Sequence, residues 1–154
     1  MFEKRRIPIL KIFSEKKFRV YLFENPKESH SEIIRLCIAD WLEGRLDCFT
    51  PAHVHWSKSD SENYLAVAVS SKRIGVDIEY KRERPVGKLS RRYFDISEIT
   101  DDPDTFYQEW VRKEAYWKKA KKGIGGRLGI AIPKGMGIIT LEGLPDNLAG
   151  AVAL

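Results

Sequence analysis

The apolar positions of the chain change period several times along its length. Two short runs, Ile7 to Phe13 and Phe18 to Phe23, flank Ser14-Glu15-Lys16 and predict two strands around a turn, closed by Asn25-Pro26. Ile33, Ile34, Leu36, Cys37, Ile38, Trp41 and Leu42 then recur at helical spacing with a wide apolar face. Ser29 or Ser31 can cap that helix, and Gly44 is its natural stop. Val54 to Ser57, Leu65 to Val69 and Ile74 to Tyr80 predict three further strands, the last two joined by a hairpin-like link, Ser70-Ser71-Lys72-Arg73. A short helix is predicted over Lys88 to Phe94. A longer one runs from about Thr105 to Lys122, opened by Asp102-Pro103-Asp104 and ended by Gly123. Ile130–Ile132, Met136–Leu141 and Ala149–Leu154 are short strand candidates punctuated by Gly and Pro. Strands and helices mix without strict β-α-β alternation, which argues for an α+β fold. No repeat, low-complexity tract or Pro/Gly/Ser linker divides the chain, so residues 1–154 are expected to form one domain.

Composition narrows the class. Hydrophobic residues make up 43% and charged residues 32% of the chain, as in a globular protein with a highly charged surface. No apolar window reaches the ~18 residues of a membrane helix, and no uninterrupted apolar segment follows the basic start, so neither a membrane span nor a signal peptide is expected. Cys37 and Cys48 are too few for a disulfide framework and fit a reducing cytoplasm. With 27 basic and 22 acidic side chains the net charge is +5, which suits nucleic acid, an anionic cofactor, an acidic protein or simply a solvated surface.

The run from Ile74 to Tyr80 is the most informative. At a period of two, Ile74, Val76, Ile78 and Tyr80 share one face, and Gly75, Asp77 and Glu79 share the other. The two carboxylates therefore lie about 7 Å apart on one side of a strand. Mg²⁺ is commonly held by one or two carboxylates together with substrate phosphates, and Gly75 would leave open space beside them for a bulky ligand. The same pattern also describes an ordinary strand with a solvated acidic face. On the long helix Phe106, Trp110, Lys113 and Trp117 fall in a narrow arc, with Glu114 at its edge and Lys118 one turn further on. Glu114 and Lys118 can be a surface i,i+4 pair worth about 0.3–0.5 kcal/mol. Beside two tryptophans, Glu114 can equally be a partly desolvated base or metal ligand, provided that the helix packs across the Asp77/Glu79 strand.

These two segments resemble the paired motifs of the 4′-phosphopantetheinyl transferases, a G-[IV]-D-[IV]-E strand followed by W-x-x-K-E-A-x-x-K on a helix. The chain has Gly75-Val76-Asp77-Ile78-Glu79, then Trp110-Val111-Arg112-Lys113-Glu114-Ala115-Tyr116-Trp117-Lys118. Leu89 to Phe94 is similar to the family's A-x-R-F-F helix, and Gly123-Ile124-Gly125 to its glycine turn. The resemblance spans roughly residues 54–130. It implies Mg²⁺ on Asp77, Glu79 and Glu114, with Glu114 also the candidate base. Lys118 would contact the phosphates of coenzyme A and stabilise the leaving 3′,5′-ADP. The reaction implied is transfer of the phosphopantetheine arm of coenzyme A to a serine of an acidic apo carrier protein, acyl or peptidyl.

Seventy-four residues precede Gly75, which resembles the surfactin-synthetase-type branch, a pseudo-dimer of two α+β sub-halves acting as a monomer. The first half is shorter than usual, and no Arg-containing helix or G-K-P segment is evident in it. The family's [FN]-x-[IFL]-S-H-S strand becomes His55-Trp56-Ser57-Lys58-Ser59, with Ser57 and Lys58 as implied cofactor-binding residues. Lys58 stands where a histidine for the 3′-phosphate is expected, and a lysine can hold a phosphate as a point charge.

Other signals carry less. His53 and His55 share a strand face, but only Cys48 is a conceivable third zinc ligand. The glycines from Gly123 to Gly129 follow a helix instead of opening one, unlike a dinucleotide fingerprint. Lys81-Arg82-x-Arg84 and Lys118-Lys119-x-Lys121-Lys122 lack the interleaved aromatics of a nucleic-acid motif. A degenerate relative that binds coenzyme A or a carrier protein without turnover is the first alternative, and a basic nucleic-acid-binding module the second.

Overall fold

A computed structural model describes residues 7–43, 54–121 and 128–154. Gly44, Cys48, His53, Lys122, Gly123, Gly125 and Gly126, which entered the sequence arguments, lie outside the described residues. Strands β1 (Ile9–Ser14) and β2 (Phe18–Glu24) pair antiparallel, and helix α1 (His30–Glu43) follows. Ser29 caps it, its carbonyl and hydroxyl both accepting from the backbone N–H of Glu32. Strands β3 (His55–Ser61) and β4 (Tyr64–Ser70) form a hairpin, and β4 also pairs with β2. The resulting sheet has the order β1-β2-β4-β3.

The chain then changes sheet. Strand β5 (Gly75–Tyr80) pairs with the final strand β7 (Leu148–Ala153), which also pairs with β6 (Ile138–Thr140), giving the order β5-β7-β6. The link at residues 71–74 is therefore a crossing between sheets and not a hairpin. Val76 and Ile78 are inserted against Ala66 and Ala68 of β4, face to face, so hydrophobic contact replaces backbone pairing. Ile130–Ile132 forms no strand, and β3 runs four residues past its expected end.

Between β5 and β6 lie helix α2 (Val86–Tyr93), a turn of 3₁₀ helix at Ile96–Glu98, and helix α3 (Pro103–Lys119). Asp102 caps α3 by accepting the Thr105 N–H at 2.8 Å, with Pro103 in the first turn where no donor is needed.

Strand alternation sorts the side chains into three cores. Tyr21, Phe23, Leu65, Val67 and Val69 pack on α1, through Ile33, Cys37 and Trp41. The opposite face of the same strands, through Val20, Leu22, Ala66 and Ala68, meets Val76, Ile78 and Val152 of the second sheet. On the far side of that sheet Ala149, Ala151 and Ala153 pack on α3, through Phe106, Tyr107, Val111 and Ala115. The order is thus helix, sheet, sheet, helix, an α+β arrangement.

Candidate active site

The site grows from the alternation along β5. With Val76 and Ile78 committed to the inter-sheet core, Gly75, Asp77 and Glu79 must face α3. Gly75 permits the close approach of that helix. A Cβ there would collide with the Ala115 carbonyl oxygen and sit 2.5 Å from the Lys119 backbone nitrogen. The space expected beside Gly75 for a ligand is therefore filled by helix backbone. Close packing has a consequence for chemistry: the last two turns of α3 bring Glu114 and Lys118 to the Asp77/Glu79 face.

Asp77 is only 3% exposed. Its Oδ1 accepts from Ser59 Oγ at 2.8 Å and from Lys118 Nζ at 2.7 Å. Its Oδ2 is buried without a hydrogen-bond partner among the described residues. Burial pushes the carboxyl above its ordinary range, opposed by Lys118 and Ser59 and reinforced by the charge of Glu79. Glu114 is half-buried, and its pKa is pushed up to about 7, first by burial and then by Asp77. Lys118 opposes that rise, Glu79 adds to it, and a hydrogen bond from Trp110 pulls against it. Glu79 sits at the outer end, with Ser61 Oγ 3.4 Å from its Oε2 and Arg84 Nη1 4.0 Å from its Oε1.

Asp77, Glu79 and Glu114 thus sense one another's charge, and Lys118 is the cation set among them. Among the described residues no three His, Cys, Asp or Glu side chains converge as a ready-made metal cage. The donor set nevertheless suits a hard divalent ion that keeps waters and takes phosphate oxygens, since all three side chains offer carboxylate oxygen. The orphaned Asp77 Oδ2 and the mutual repulsion that lifts Glu114 are both features a cation would relieve.

The other two residues named from sequence are arranged differently. Ser57 is buried and its Oγ accepts the Val76 N–H at 3.1 Å, so its hydroxyl is used in joining β3 to β5. Lys58 points to the opposite face of β3, where Nζ lies 3.0 Å from His30 Nδ1 and 3.3 Å from Asp60 Oδ1. Only its backbone reaches the site, its carbonyl oxygen accepting from Lys118 Nζ at 3.4 Å. His30 escaped the sequence reading, and Ser59 entered it only as the end of the His55–Ser59 segment, with no role assigned. Neither contact has a linear signal, because each residue acquires its partner from an element 18 or more residues away.

Beyond Lys118 a groove of about 120 Å³ opens, lined by His55, Trp56, Arg73, Lys118, Lys119 and Lys121, with no acidic side chain among the described residues that line it. Trp56 is half exposed beside it. Its wall is cationic and partly aromatic, suited to an anionic ligand carrying a flat ring.

Sequence comparison decides the lineage. A Bacillus subtilis 4′-phosphopantetheinyl transferase is 33% identical over 79 residues, covering 46% of this chain and 35% of that protein. A protein of Synechocystis sp., provisionally named 4′-phosphopantetheinyl transferase, is 32% identical over 115 residues, covering 68% of this chain and 44% of its own. The chain belongs to the 4′-phosphopantetheinyl transferase superfamily. It spans less than half the length of these relatives. No protein-family model matches it. Within this superfamily member, Lys113 has a distinct place beside Glu114. It is fully buried, pairs with Glu98 Oε2 at 2.6 Å and donates to the Ile130 carbonyl at 2.9 Å. The lysine of the W-x-x-K-E-A segment therefore anchors α3 to the 3₁₀ turn and the following loop, facing away from the carboxylates.

Proposed function

We propose that this chain transfers the 4′-phosphopantetheine arm of coenzyme A to the serine hydroxyl of an apo carrier protein, acyl or peptidyl, and releases 3′,5′-ADP. The observation that carries the reading is that Asp77, Glu79, Glu114 and Lys118 lie within electrostatic reach of one another where α3 crosses β5, beside a basic groove. Asp77, Glu79 and Glu114 would hold Mg²⁺, which when bound supplies positive charge to the pyrophosphate. Glu114, lifted above the ordinary carboxylate range in the metal-free chain, is the candidate base for the serine proton. The serine oxygen then bonds to the β-phosphorus as the bridging P–O bond to 3′,5′-ADP breaks, and the electron pair leaves on the ADP oxygen. Lys118 offsets that charge, in a reaction whose catalysis is mostly positioning and electrostatics. The groove cations would take the coenzyme's phosphates, and the net charge of +5 suits an acidic carrier protein.

In this reading residues 1–154 are one domain of two sub-halves. The first comprises β1 to β4 with α1 and the second β5 to β7 with α2 and α3, with the site where β3 meets β5. Each sub-half is an antiparallel sheet with helix packed on its outer face. The protein would act as a cytoplasmic monomer. A second reading, a relative that binds without turnover, is favoured by one observation, the Lys118–Asp77 pair that occupies the centre of the site. The two readings separate in one assay. Chromatography of 3′,5′-ADP, after incubation with coenzyme A, Mg²⁺ and an apo carrier protein, detects release in the first and none in the second.

A further inference from the structure

Strands β3 and β5 are edge strands of different sheets, and they meet through serine hydroxyls spaced two apart. Ser57 Oγ accepts the Val76 N–H at 3.1 Å, and Ser61 Oγ accepts the Tyr80 N–H at 2.9 Å. Between them Ser59 behaves differently. Its hydroxyl is 6% exposed as a residue, lies 3.5 Å from the Ile78 carbonyl, and donates at 2.8 Å to Asp77 Oδ1. The proton of this serine goes to the buried Asp77 carboxylate at 2.8 Å, whereas Ser57 receives a backbone proton and Ser61 both receives one and reaches Glu79 Oε2 only at 3.4 Å.

A carboxylate with one oxygen doubly donated and the other buried without a partner is held in one orientation. Asp77 is held by Ser59 from β3 and by Lys118 from α3, both on Oδ1, and Oδ2 remains free. The proposed reaction draws Lys118 toward phosphate. Ser59 is then the donor that stays. We infer that Ser59 is a positioning residue for Asp77, fixing Oδ1 so that Oδ2 is presented to a divalent cation. The inference rests on the proposed function, since it presumes that Asp77 is a ligand. Hydrogen-bond partners of ligating carboxylates typically alter metal affinity 10–100-fold when removed.

The test reads metal binding as well as turnover. Mn²⁺ binding to the full chain in the presence of coenzyme A is followed by electron paramagnetic resonance for wild type, Ser59→Ala, Ser59→Cys and Ser59→Thr. Ser59→Ala is expected to weaken Mn²⁺ binding by about tenfold or more. The Mg²⁺ concentration for half-maximal transfer should rise in parallel, with much of kcat regained at saturating metal. Ser59→Cys keeps the volume but only a weak donor and should follow the alanine variant, also covering the case in which alanine fails to fold. Ser59→Thr keeps the hydroxyl and should restore most of the affinity. Wild-type affinity in the alanine and cysteine variants would overturn the inference, leaving Ser59 a stitch between two strands while the proposed function stands. A wild-type chain that neither binds Mn²⁺ nor releases 3′,5′-ADP would remove the parent reading and this inference with it.

Discussion

Lys118 Nζ lies 2.7 Å from Asp77 Oδ1, a contact between a half-buried cation on the last turn of α3 and a buried carboxylate on β5. The pair joins the two segments that resemble the superfamily's motifs and sets what each mutation there should do. Lys118→Ala leaves a buried carboxylate with Ser59 as its remaining donor, at a cost of about 1–3 kcal/mol of stability. It should also lower kcat more than it raises KM for coenzyme A, because its proposed contact strengthens as charge develops on the leaving ADP. Thermal melts beside steady-state kinetics separate the two effects. Normal turnover with only a lowered Tm would mark the pair as structural.

Glu114 makes stability depend on pH in a direction opposite to most carboxylates. Its folded pKa, raised to about 7 from the ordinary 4.5, means that the folded chain binds more protons than the unfolded chain between those values. Stability from this group is therefore full below about pH 4.5 and is lost as pH rises through 7. Asp77, also raised by burial, acts with the same sign. Glu114→Gln should melt higher than wild type at pH 8 and show a flatter Tm profile from pH 5 to 8. A variant with an unchanged profile would show that Glu114 ionises as a surface group.

Gly75 tests the packing that assembles the site. A methyl group there meets helix backbone on two sides, which cannot rotate away as a side chain can. Gly75→Ala is expected to cost 3 kcal/mol or more, the upper end of overpacking effects, and to impair Mg²⁺-dependent transfer even where the fold survives. Denaturant unfolding measures the first quantity. A loss under about 1 kcal/mol would mean that α3 can move off β5 freely.

Lys58 and His30 form a separate prediction. Their side chains meet on the face of β3 opposite Asp77, so under the proposed function they would meet a different part of the coenzyme from Lys118. If Lys58 holds the 3′-phosphate, Lys58→Ala should raise KM for coenzyme A far more than KM for 3′-dephospho-coenzyme A. Equal losses for the two would separate Lys58 from that phosphate.

Much of this architecture was legible in the chain because it depends on local rules. The period of two in β5 assigned Asp77 and Glu79 to one face, and Asp102-Pro103 marked the start of α3. What escaped depends on contacts distant in sequence. The Ser70–Arg73 link looks like a hairpin until Val76 and Ile78 are found against the other sheet. Gly75 looks like space for a ligand until α3 is laid over it. The strand expected over Val54 to Ser57 leaves out Ser59 and Ser61. Their hydroxyls belong to the strand because β5 supplies donors and acceptors at the same period. Lys113, one residue before Glu114, shows the same limit: only the fold reveals that it is spent on Glu98.

The central claim, that the Asp77, Glu79, Glu114 and Lys118 cluster performs phosphopantetheinyl transfer, is tested most directly by intact mass spectrometry of a purified apo carrier protein. The carrier is incubated with coenzyme A, Mg²⁺ and either wild-type chain or Glu114→Gln. The predicted result is a carrier protein heavier by one phosphopantetheine group with wild type, and unmodified carrier with a Glu114→Gln chain that still melts cooperatively. Equal modification by both would contradict the assigned role of Glu114. No modification by wild type across acyl and peptidyl carriers would contradict the catalytic account itself.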